Sequence, residues 1–160
     1  MPGTGCSTGS GFSGAHRVHH SDEHLDAATA LRFHPFEVAL TVIGYLVVVG
    51  VFGAPVLGVA IHATLVILFD VWEHANIATP AWTRRLTRVI VTPDVHRLHH
   101  SENPAHHDTN YGIIFTLWDR LFGTYMPPDP SRGTIRFGLG PENRLDFDSL
   151  EGLLSDPFRR

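Results

Sequence analysis

The sequence VALTVIGYLVVVGVFGAPVLGVAIHATLVILF, residues 38–69, decides the fold of this chain because it contains no Asp, Glu, Lys or Arg. An apolar stretch of this length exceeds a soluble core helix and is typical of a membrane segment. Gly53, Pro55 and Gly58 interrupt it near its middle. Two apolar pieces remain, at about 36–52 and 56–69, each at or below the roughly 20 residues of an upright membrane span.

We interpret these two pieces as the arms of a tight helical hairpin, because glycine and proline so close together favour a turn. A hairpin returns the chain to the side of the membrane that it left. The alternative is one long kinked helix, which would separate the flanking segments by the bilayer. The hairpin therefore predicts that the sequences before and after the apolar stretch meet on one face.

Two nearly identical histidine clusters flank the apolar stretch, HRVHHS at 16–21 and HRLHHS at 96–101. Positions i, i+3 and i+4 of a helix share one face, so each cluster directs three imidazoles to the same side. Histidine also serves as a core or surface residue, but packing does not explain why the same pattern occurs twice. The repeat predicts a site for a pair of metal ions, with six candidate ligands: His16, His19, His20, His96, His99 and His100.

Other histidines receive different interpretations. His74 follows the second arm directly, at the expected membrane surface, and suits an additional metal ligand. His62 lies inside the second arm, where an ionisable group is a functional hypothesis. We favour a neutral imidazole bonded to a backbone carbonyl for His62 over a ligand. His106 and His107 lie in a polar loop and are expected at the surface.

Composition limits the remaining classes. A chain of 160 residues fits one domain, and a net charge of −4 without basic runs among aromatics argues against nucleic acid. Cys6 is the only cysteine, which excludes an internal disulfide and a thiolate-rich metal site. Imidazole binds Zn, Cu, Fe and Ni, so the type of ligand alone does not identify the metal. The basic cluster Arg84, Arg85 and Arg88 is either a cytoplasmic membrane flank or a solvated helix face.

The C-terminal third predicts short helices. Trp118, Asp119 and Arg120 lie in a helical pattern that Gly123 should end. Residues 145–154 could form a short amphipathic helix that docks on the domain or lies in the membrane interface.

Several ordered motifs together resemble the sterol desaturase/fatty acid hydroxylase superfamily. The resemblance runs from His16 to Tyr125, and more loosely to Phe158. It is carried by HRVHHS (16–21), LDAATALRFHPFE (25–37), WEHANI (72–77), TPDVHRLHHS (92–101), and DTNYG with LWDRLFGTY within 108–125.

The resemblance implies an all-α fold, with a membrane-embedded helical hairpin and a cytosolic histidine-rich helical cap. It implies a non-haem di-iron oxygenase that hydroxylates or desaturates a lipid substrate. O2 and an electron-transfer partner, cytochrome b5-like or ferredoxin-like, complete the reaction, and no catalytic residue beyond the metal ligands is identified. The implied ligands are the six clustered histidines, with His74 as a further one. Asn76 is a weaker candidate, which would bind the metal through a water molecule. His24 and His34 are equally plausible as metal ligands and as residues that orient the ligands.

The chain departs from the family before His16. Members usually carry further membrane helices and an HxxxH box there, whereas residues 1–15 are rich in Gly, Ser and Thr and lack a signal peptide. We therefore predict a domain at 16–158 and a disordered or out-of-frame stretch at 1–15. A back-translation of 4–15 read one base earlier can encode HRVLHRLRLLWR, which contains the box, and sequencing the locus tests that hypothesis. The alternatives are a catalytically incomplete, truncated membrane protein and a metal-dependent membrane hydrolase with Asp22, Glu23 or Glu73 as base.

Overall fold

The computed structural model describes residues 12–77, 79–128, 134–140 and 149–155, and this part of the chain is helical without a β-strand. Two isolated antiparallel bridges join Ile90 to Phe115 and Ser101 to Phe137. The α-helices are α1 (Phe12–His20), α2 (Pro35–Phe52), α3 (Val56–Glu73), α4 (Pro93–His99), α5 (Leu117–Phe122) and α6 (Leu150–Ser155). Three 3₁₀ helices lie at Thr29–Leu31, Ala81–Arg88 and Pro104–His106.

Helices α2 and α3 form the predicted hairpin. The helix α2 begins with Pro35 after the cap residue His34, whose Nδ1 accepts a hydrogen bond from the Phe36 backbone N–H at 3.0 Å. It ends at Gly53, which adopts the left-handed conformation with φ 65°. The Tyr45 hydroxyl lies 3.2 Å from Nδ1 of His62 in the other arm, so the arms run side by side. The single kinked helix is therefore wrong.

The hairpin presents apolar side chains outward. Each arm has 18 residues, with mean hydropathy of 2.0 for α2 and 1.7 for α3, and is long and apolar enough to cross a membrane. Phe52 is 76% exposed and Leu57 72% exposed near the turn. Exposure of this much contiguous apolar surface is unfavourable in water and favourable in lipid. The arms thus have the composition and the surface of membrane helices.

The core lies at the open end of the hairpin, opposite the turn. There α1 contacts α2, and α3 contacts both α4 and the 3₁₀ helix Thr29–Leu31. The buried apolar side chains come from these segments and from the loops beside them: Ala15, Val18, Leu25, Ala30, Val91, Val95 and Leu98. This core fixes α1 and α4, the two helices that carry the histidine clusters, against the same end of the hairpin.

The segment after α4 is organised by Asp119, which is 2% exposed. Its carboxylate accepts hydrogen bonds from the backbone N–H of Tyr111 at 2.8 Å and of Gly112 at 2.9 Å, and from the Thr124 hydroxyl at 2.7 Å. Gly123 ends α5 with φ 76°, as predicted. This one carboxylate therefore joins the loop before α5 to the segment that follows α5.

The structure describes only part of each segment that was predicted at the two ends of the chain. The helix α1 already begins at Phe12, whereas residues 1–11 of the predicted N-terminal stretch lie outside the described residues. The helix α6 corresponds to the second half of the segment predicted at 145–154, and residues 145–148 lie outside the described part.

Candidate metal centre

The two histidine-bearing helices are short and locally encoded. The helix α4 begins with Pro93 in its first turn, followed by Asp94, which favours the positive end of the helix dipole. Its histidines and those of α1 follow the spacing i, i+3, i+4. The two helices face one another, because the ring centroids of His20 and His99 lie 4.6 Å apart and those of His19 and His100 lie 4.7 Å apart.

Four buried histidines form the first cluster: His19, His74, His96 and His100. Nε2 of His74 lies 3.0 Å from that of His19 and 3.1 Å from those of His96 and His100. Nε2 of His96 and of His100 are 3.0 Å apart. Nitrogens bound to one metal at about 2.1 Å lie about 3.0 Å apart when the bonds are at right angles. The first cluster therefore has the spacing of a metal coordination shell.

Hydrogen bonding alone does not account for this arrangement. Nδ1 of His74 donates its proton to the Asp70 carbonyl oxygen at 2.7 Å. Its Nε2 therefore carries one lone pair, and this lone pair faces the Nε2 atoms of the other three histidines. One lone pair cannot accept three N–H donors. Nδ1 of His19, of His96 and of His100 is buried without a hydrogen-bond partner. A cation at the centre of the four Nε2 atoms would satisfy all of them at once.

Three half-buried histidines form the second cluster: His16, His20 and His99. Nε2 of His20 and of His99 lie 3.1 Å apart. Nδ1 of His99 donates to the Thr109 carbonyl oxygen at 2.7 Å, so its Nε2 carries the lone pair that faces the cluster. Among the described residues, this cluster has three histidines where the first has four. It could hold a second metal ion with positions left for other ligands.

The two clusters are neighbours and share their helices. His20 of the second cluster stacks on His100 of the first with ring centroids 4.3 Å apart. The helix α1 contributes two histidines to the second cluster and one to the first, whereas the α4 segment contributes two to the first and one to the second. His74, at the end of α3, completes the first cluster. The hairpin is thus part of the metal centre as well as its support.

Buried carboxylates lie behind both clusters. Oε1 of Glu37, which is 8% exposed, lies 2.8 Å from Nδ1 of His16. Glu73 is 0% exposed, and its Oε2 lies 3.6 Å from Nδ1 of His96. Asp70, Glu73 and His96 form a third group of potential ligands. Carboxylates at this position orient metal-bound imidazoles and raise their basicity.

Sequence reasoning missed Glu37 and named Glu73 only as a candidate base of the alternative hydrolase. The available signal was their position, since each is an acidic residue at the open end of a membrane arm; Glu37 is the only charged residue of its arm, and Glu73 is accompanied only by Asp70. A carboxylate is costly to bury without a partner. An acidic residue next to a candidate ligand at the end of a membrane helix therefore marks the surroundings of a metal site.

Burial keeps five of the clustered histidines neutral. It lowers the pKa of His19 to about 2, aided by the neighbouring His74 and His16. It lowers the pKa of His99 to about 4, although the hydrogen bond to Thr109 acts in the opposite direction. The pKa values of His20, His96 and His100 are also held well below the usual 6.5 by burial and by adjacent imidazoles. Neutral imidazole is the form that binds metal, so the ligands are ready at neutral pH.

The other predicted histidines lie elsewhere. His24 is exposed, and His34 caps α2, so neither belongs to a group that could hold a metal among the described residues. His62 contacts the Tyr45 hydroxyl rather than the predicted backbone carbonyl. His106 is 6% exposed, so its predicted surface position is wrong.

Asn76 has a structural contact instead of an open coordination position. Its Oδ1 accepts a hydrogen bond from the Arg97 guanidinium at 3.1 Å, and the same group donates to the Ile77 carbonyl oxygen at 2.8 Å. The seven predicted ligands are therefore brought together, and metal binding by them stays a prediction.

Comparisons with known proteins agree with this centre. The chain is 34% identical over 112 residues to an alkylglycerol monooxygenase from Danio rerio, which covers 70% of this chain and 24% of the relative. It is 31% identical over 121 residues to an ornithine lipid hydroxylase from Rhizobium tropici, covering 75% of this chain and 36% of the relative. It is 26% identical over 118 residues to human lathosterol oxidase, and the alignment covers 74% of this chain and 38% of the relative.

The chain thus spans about a quarter to somewhat over a third of the length of these curated relatives. No solved structure matches it significantly. The family model for fatty acid hydroxylase matches residues 9–124, a range that contains α1 to α5 and all seven clustered histidines. With most of its length matched, this chain belongs to the fatty acid hydroxylase family, within the sterol desaturase/fatty acid hydroxylase superfamily.

Proposed function

We propose that this chain carries the di-iron centre of an O2-dependent lipid hydroxylase or desaturase. One observation supports this most: seven imidazoles from three elements converge in two adjacent clusters at the open end of an apolar hairpin. The relatives are named as a monooxygenase, a hydroxylase and an oxidase. Oxidation of an unactivated C–H bond requires a redox metal, which zinc does not provide.

In this proposal, His19, His74, His96 and His100 hold one iron, and His16, His20 and His99 hold the other. Bound iron supplies the activation of O2 needed to oxidise a lipid carbon. In hydroxylation, one oxygen atom enters the C–H bond and the other leaves as water, with two electrons and two protons from an external donor. In desaturation, two hydrogen atoms leave the lipid, and with two further electrons and two protons from the same donor both oxygen atoms become water.

The residues of this chain position the ligands and keep them basic. The Asp70 and Thr109 carbonyl oxygens fix the protonated Nδ1 of His74 and His99, so that each Nε2 faces its cluster. Glu37 does the same for His16 in the second cluster. Burial of the first cluster excludes water that would otherwise compete for the metal.

We propose a membrane lipid as the class of substrate. The exposed apolar surface of α2 and α3 adjoins the clusters, so a lipid in the bilayer can approach the centre from the membrane. An alkylglycerol, an ornithine lipid and lathosterol differ in headgroup and ring system, so the relatives' names share only lipid chemistry.

We further propose that the clusters lie on the cytoplasmic side and receive electrons from a cytochrome b5-like or ferredoxin-like protein. Arg84, Arg85 and Arg88 are exposed shortly after the second arm, and basic residues beside membrane segments favour the cytoplasmic side.

A metal-dependent hydrolase is the second candidate, because of Glu73. Its carboxyl group is fully buried without a hydrogen-bond partner and lies beside His96. Burial, together with the nearby Asp70, raises the pKa of Glu73 to about 10, so this group would act as a base for a metal-bound water only once a bound cation lowers that pKa. A catalytically incomplete protein is supported by the three-histidine second cluster. Iron dependence separates both candidates from the oxygenase.

The test is the metal content of the detergent-purified chain, loaded anaerobically with Fe(II), with and without an N-terminal extension that carries an HxxxH box. We expect two irons in the extended form, one of which is lost in His74→Ala and the other in His99→Ala. With reductant and isotope-labelled O2, membranes containing the extended form should incorporate label into a lipid if the reaction is hydroxylation. Zinc binding without iron uptake under reducing conditions would contradict the oxygenase and favour the other candidates.

A further inference from the structure

Helix α5 has its apolar face on the outside of the protein. Leu117, Trp118, Leu121 and Phe122 are 60%, 56%, 67% and 74% exposed. At 100° per residue they cover an arc of about 140° on one side of the helix. The polar residues lie on the other side. A helix that faces water shows the reverse arrangement, so the surroundings of this face are not water alone.

The inward polar face of α5 is tied to the rest of the protein. Asp119 binds three donors in the loop and exit segments, and the Arg120 guanidinium lies over the Tyr125 ring and 3.3 Å from the Thr87 carbonyl oxygen. The orientation of α5 is therefore fixed by hydrogen bonds that would be lost if the helix turned its apolar face inward.

The 3₁₀ helix Ala81–Arg88 lies beside α5. The Thr87 carbonyl oxygen accepts a hydrogen bond from the Thr116 hydroxyl at 3.2 Å, and the Thr116 backbone N–H donates to the Val89 carbonyl oxygen at 3.0 Å. With three residues per turn, Trp82, Arg85 and Arg88 align along one edge of the 3₁₀ helix. Trp82 is 65% exposed, and the arginines are exposed as well.

We propose that α5 and the 3₁₀ helix form an interfacial surface that lies on an anionic bilayer, in addition to the hairpin that enters it. We define this interfacial surface by Trp82, Val89, Leu117, Trp118, Leu121 and Phe122, flanked by Arg84, Arg85 and Arg88. The proposal does not depend on the chemistry of the metal centre. Its consequence is that the domain lies flat on the membrane and keeps the histidine clusters at the level of the lipid headgroups.

The charge and the position of the interfacial surface favour a lipid bilayer as its binding partner. Tryptophan and arginine are the residues that occupy the boundary between headgroups and acyl chains, since the indole ring is amphipathic and the guanidinium reaches phosphate. Three exposed arginines complement an anionic lipid surface. The surface also begins at Trp82, only nine positions after Glu73 ends the second membrane arm, so the bilayer is already present beside it.

Tryptophan fluorescence of the whole chain tests the proposal, because the chain has three tryptophans, Trp72, Trp82 and Trp118. Three single-tryptophan variants are made by replacing the other two residues with Phe and are reconstituted in phosphatidylcholine vesicles with and without phosphatidylglycerol. Each is quenched by lipids brominated near the headgroup or deep in the acyl chain, and by aqueous iodide. Trp72, in the last turn of α3, is the reference for a membrane residue, and circular dichroism confirms that each variant keeps its helical content.

We expect shallow-brominated lipids to quench Trp118 to an extent comparable with Trp72, more strongly than deep-brominated lipids do, while iodide quenches it little. Trp82 should shift its emission to shorter wavelength when anionic lipid is added, and Arg84→Ala/Arg85→Ala/Arg88→Ala should abolish that shift. Quenching of Trp118 by iodide alone would overturn the proposal, because the surface would then face water. Protection of Trp118 from both quenchers would overturn it too, since a second copy or another protein segment would then cover the surface.

Discussion

Replacement of Glu37 should weaken metal binding at the second cluster and spare the first. Its carboxylate lies 2.8 Å from Nδ1 of His16 and is 8% exposed. The hydrogen bond keeps the proton on Nδ1 and leaves Nε2 of His16 available to a metal. In Glu37→Ala the imidazole can rotate and exchange its proton between the two nitrogens, so the ligand loses both orientation and basicity.

The size of the effect follows from the geometry. Loss of a hydrogen-bonded carboxylate behind a ligating imidazole typically lowers metal affinity about 10–100-fold, or about 1.4–2.7 kcal/mol. We expect Glu37→Ala at the upper end of this range, because the 2.8 Å contact is short and the carboxylate is buried. Glu37→Gln should lie between the wild type and Ala, since the amide oxygen can still accept the hydrogen bond without the charge.

The measurement is equilibrium dialysis of the metal-free protein against Fe(II) under argon, with elemental analysis of bound metal at each free concentration. Glu73→Ala is the counterpart, since Glu73 lies 3.6 Å from His96 and should weaken the four-histidine cluster instead. Glu102→Gln is the matched control, because that carboxylate lies 3.9 Å from the exposed Arg136 and belongs to none of the groups of described residues that could hold a metal. Its affinities should equal those of the wild type.

Unchanged affinity of both sites in Glu37→Ala would refute the reasoning, because His16 would then be oriented without the carboxylate. An equal loss at both sites would also refute it, since the effect would be a general loss of the fold. Cluster-specific effects from two residues at opposite arms of one hairpin are what the geometry requires.

Three further predictions concern stability in detergent, measured by thermal or chemical unfolding. Gly53→Ala should lower the free energy of unfolding by about 1 kcal/mol, because Gly53 has φ 65° with open space around it, whereas Gly44→Ala within α2 should raise it by about 0.5–1 kcal/mol. Asp119→Ala should lower it by about 3 kcal/mol, because three donors lose a buried carboxylate, whereas Tyr111→Phe removes one exposed hydrogen bond worth about 0.5 kcal/mol. The metal-free protein should lose stability as pH falls from 6.5 towards 4, by up to about 1.4 kcal/mol per pH unit for His99, because the unfolded chain binds that proton first and the folded pKa is about 4. A flat pH profile between these values would contradict the burial of the clusters.

The hairpin and the convergence of the seven histidines were predictable because their signals are local, whereas their role as ligands stays a prediction. An uncharged stretch interrupted by Gly53 and Pro55 leaves few alternatives for the backbone, and the structure has its helices within four residues of the predicted bounds. The repeat of HxxHH likewise indicates a shared site without any knowledge of packing. His74 was predicted from its position after the second arm, and it lies at the centre of the first cluster.

The features that were not predicted depend on contacts between distant residues. The Glu37–His16 contact joins residues 21 positions apart, and the Thr109 carbonyl oxygen that fixes His99 lies in the DTNYG motif, which does not itself indicate a contact with a histidine. The outward apolar face of α5 was also missed. Its pattern is amphipathic in either orientation, and only the hydrogen bonds of Asp119 and Arg120 determine which side faces the protein.

The division of the histidines between the two clusters shows how the two helices would build the proposed two-metal site. The spacing i, i+3, i+4 places three imidazoles on one face, but that face is wide enough for the third to diverge from the other two. His16 and His20 of α1 enter the second cluster and His19 enters the first, whereas His96 and His100 enter the first and His99 the second. Each metal would therefore be held by both helices, so neither ion can bind unless α1 and α4 are docked together. The hairpin provides that docking through Glu37 and His74, so in the proposed centre metal binding and the assembly of the fold would be one cooperative event.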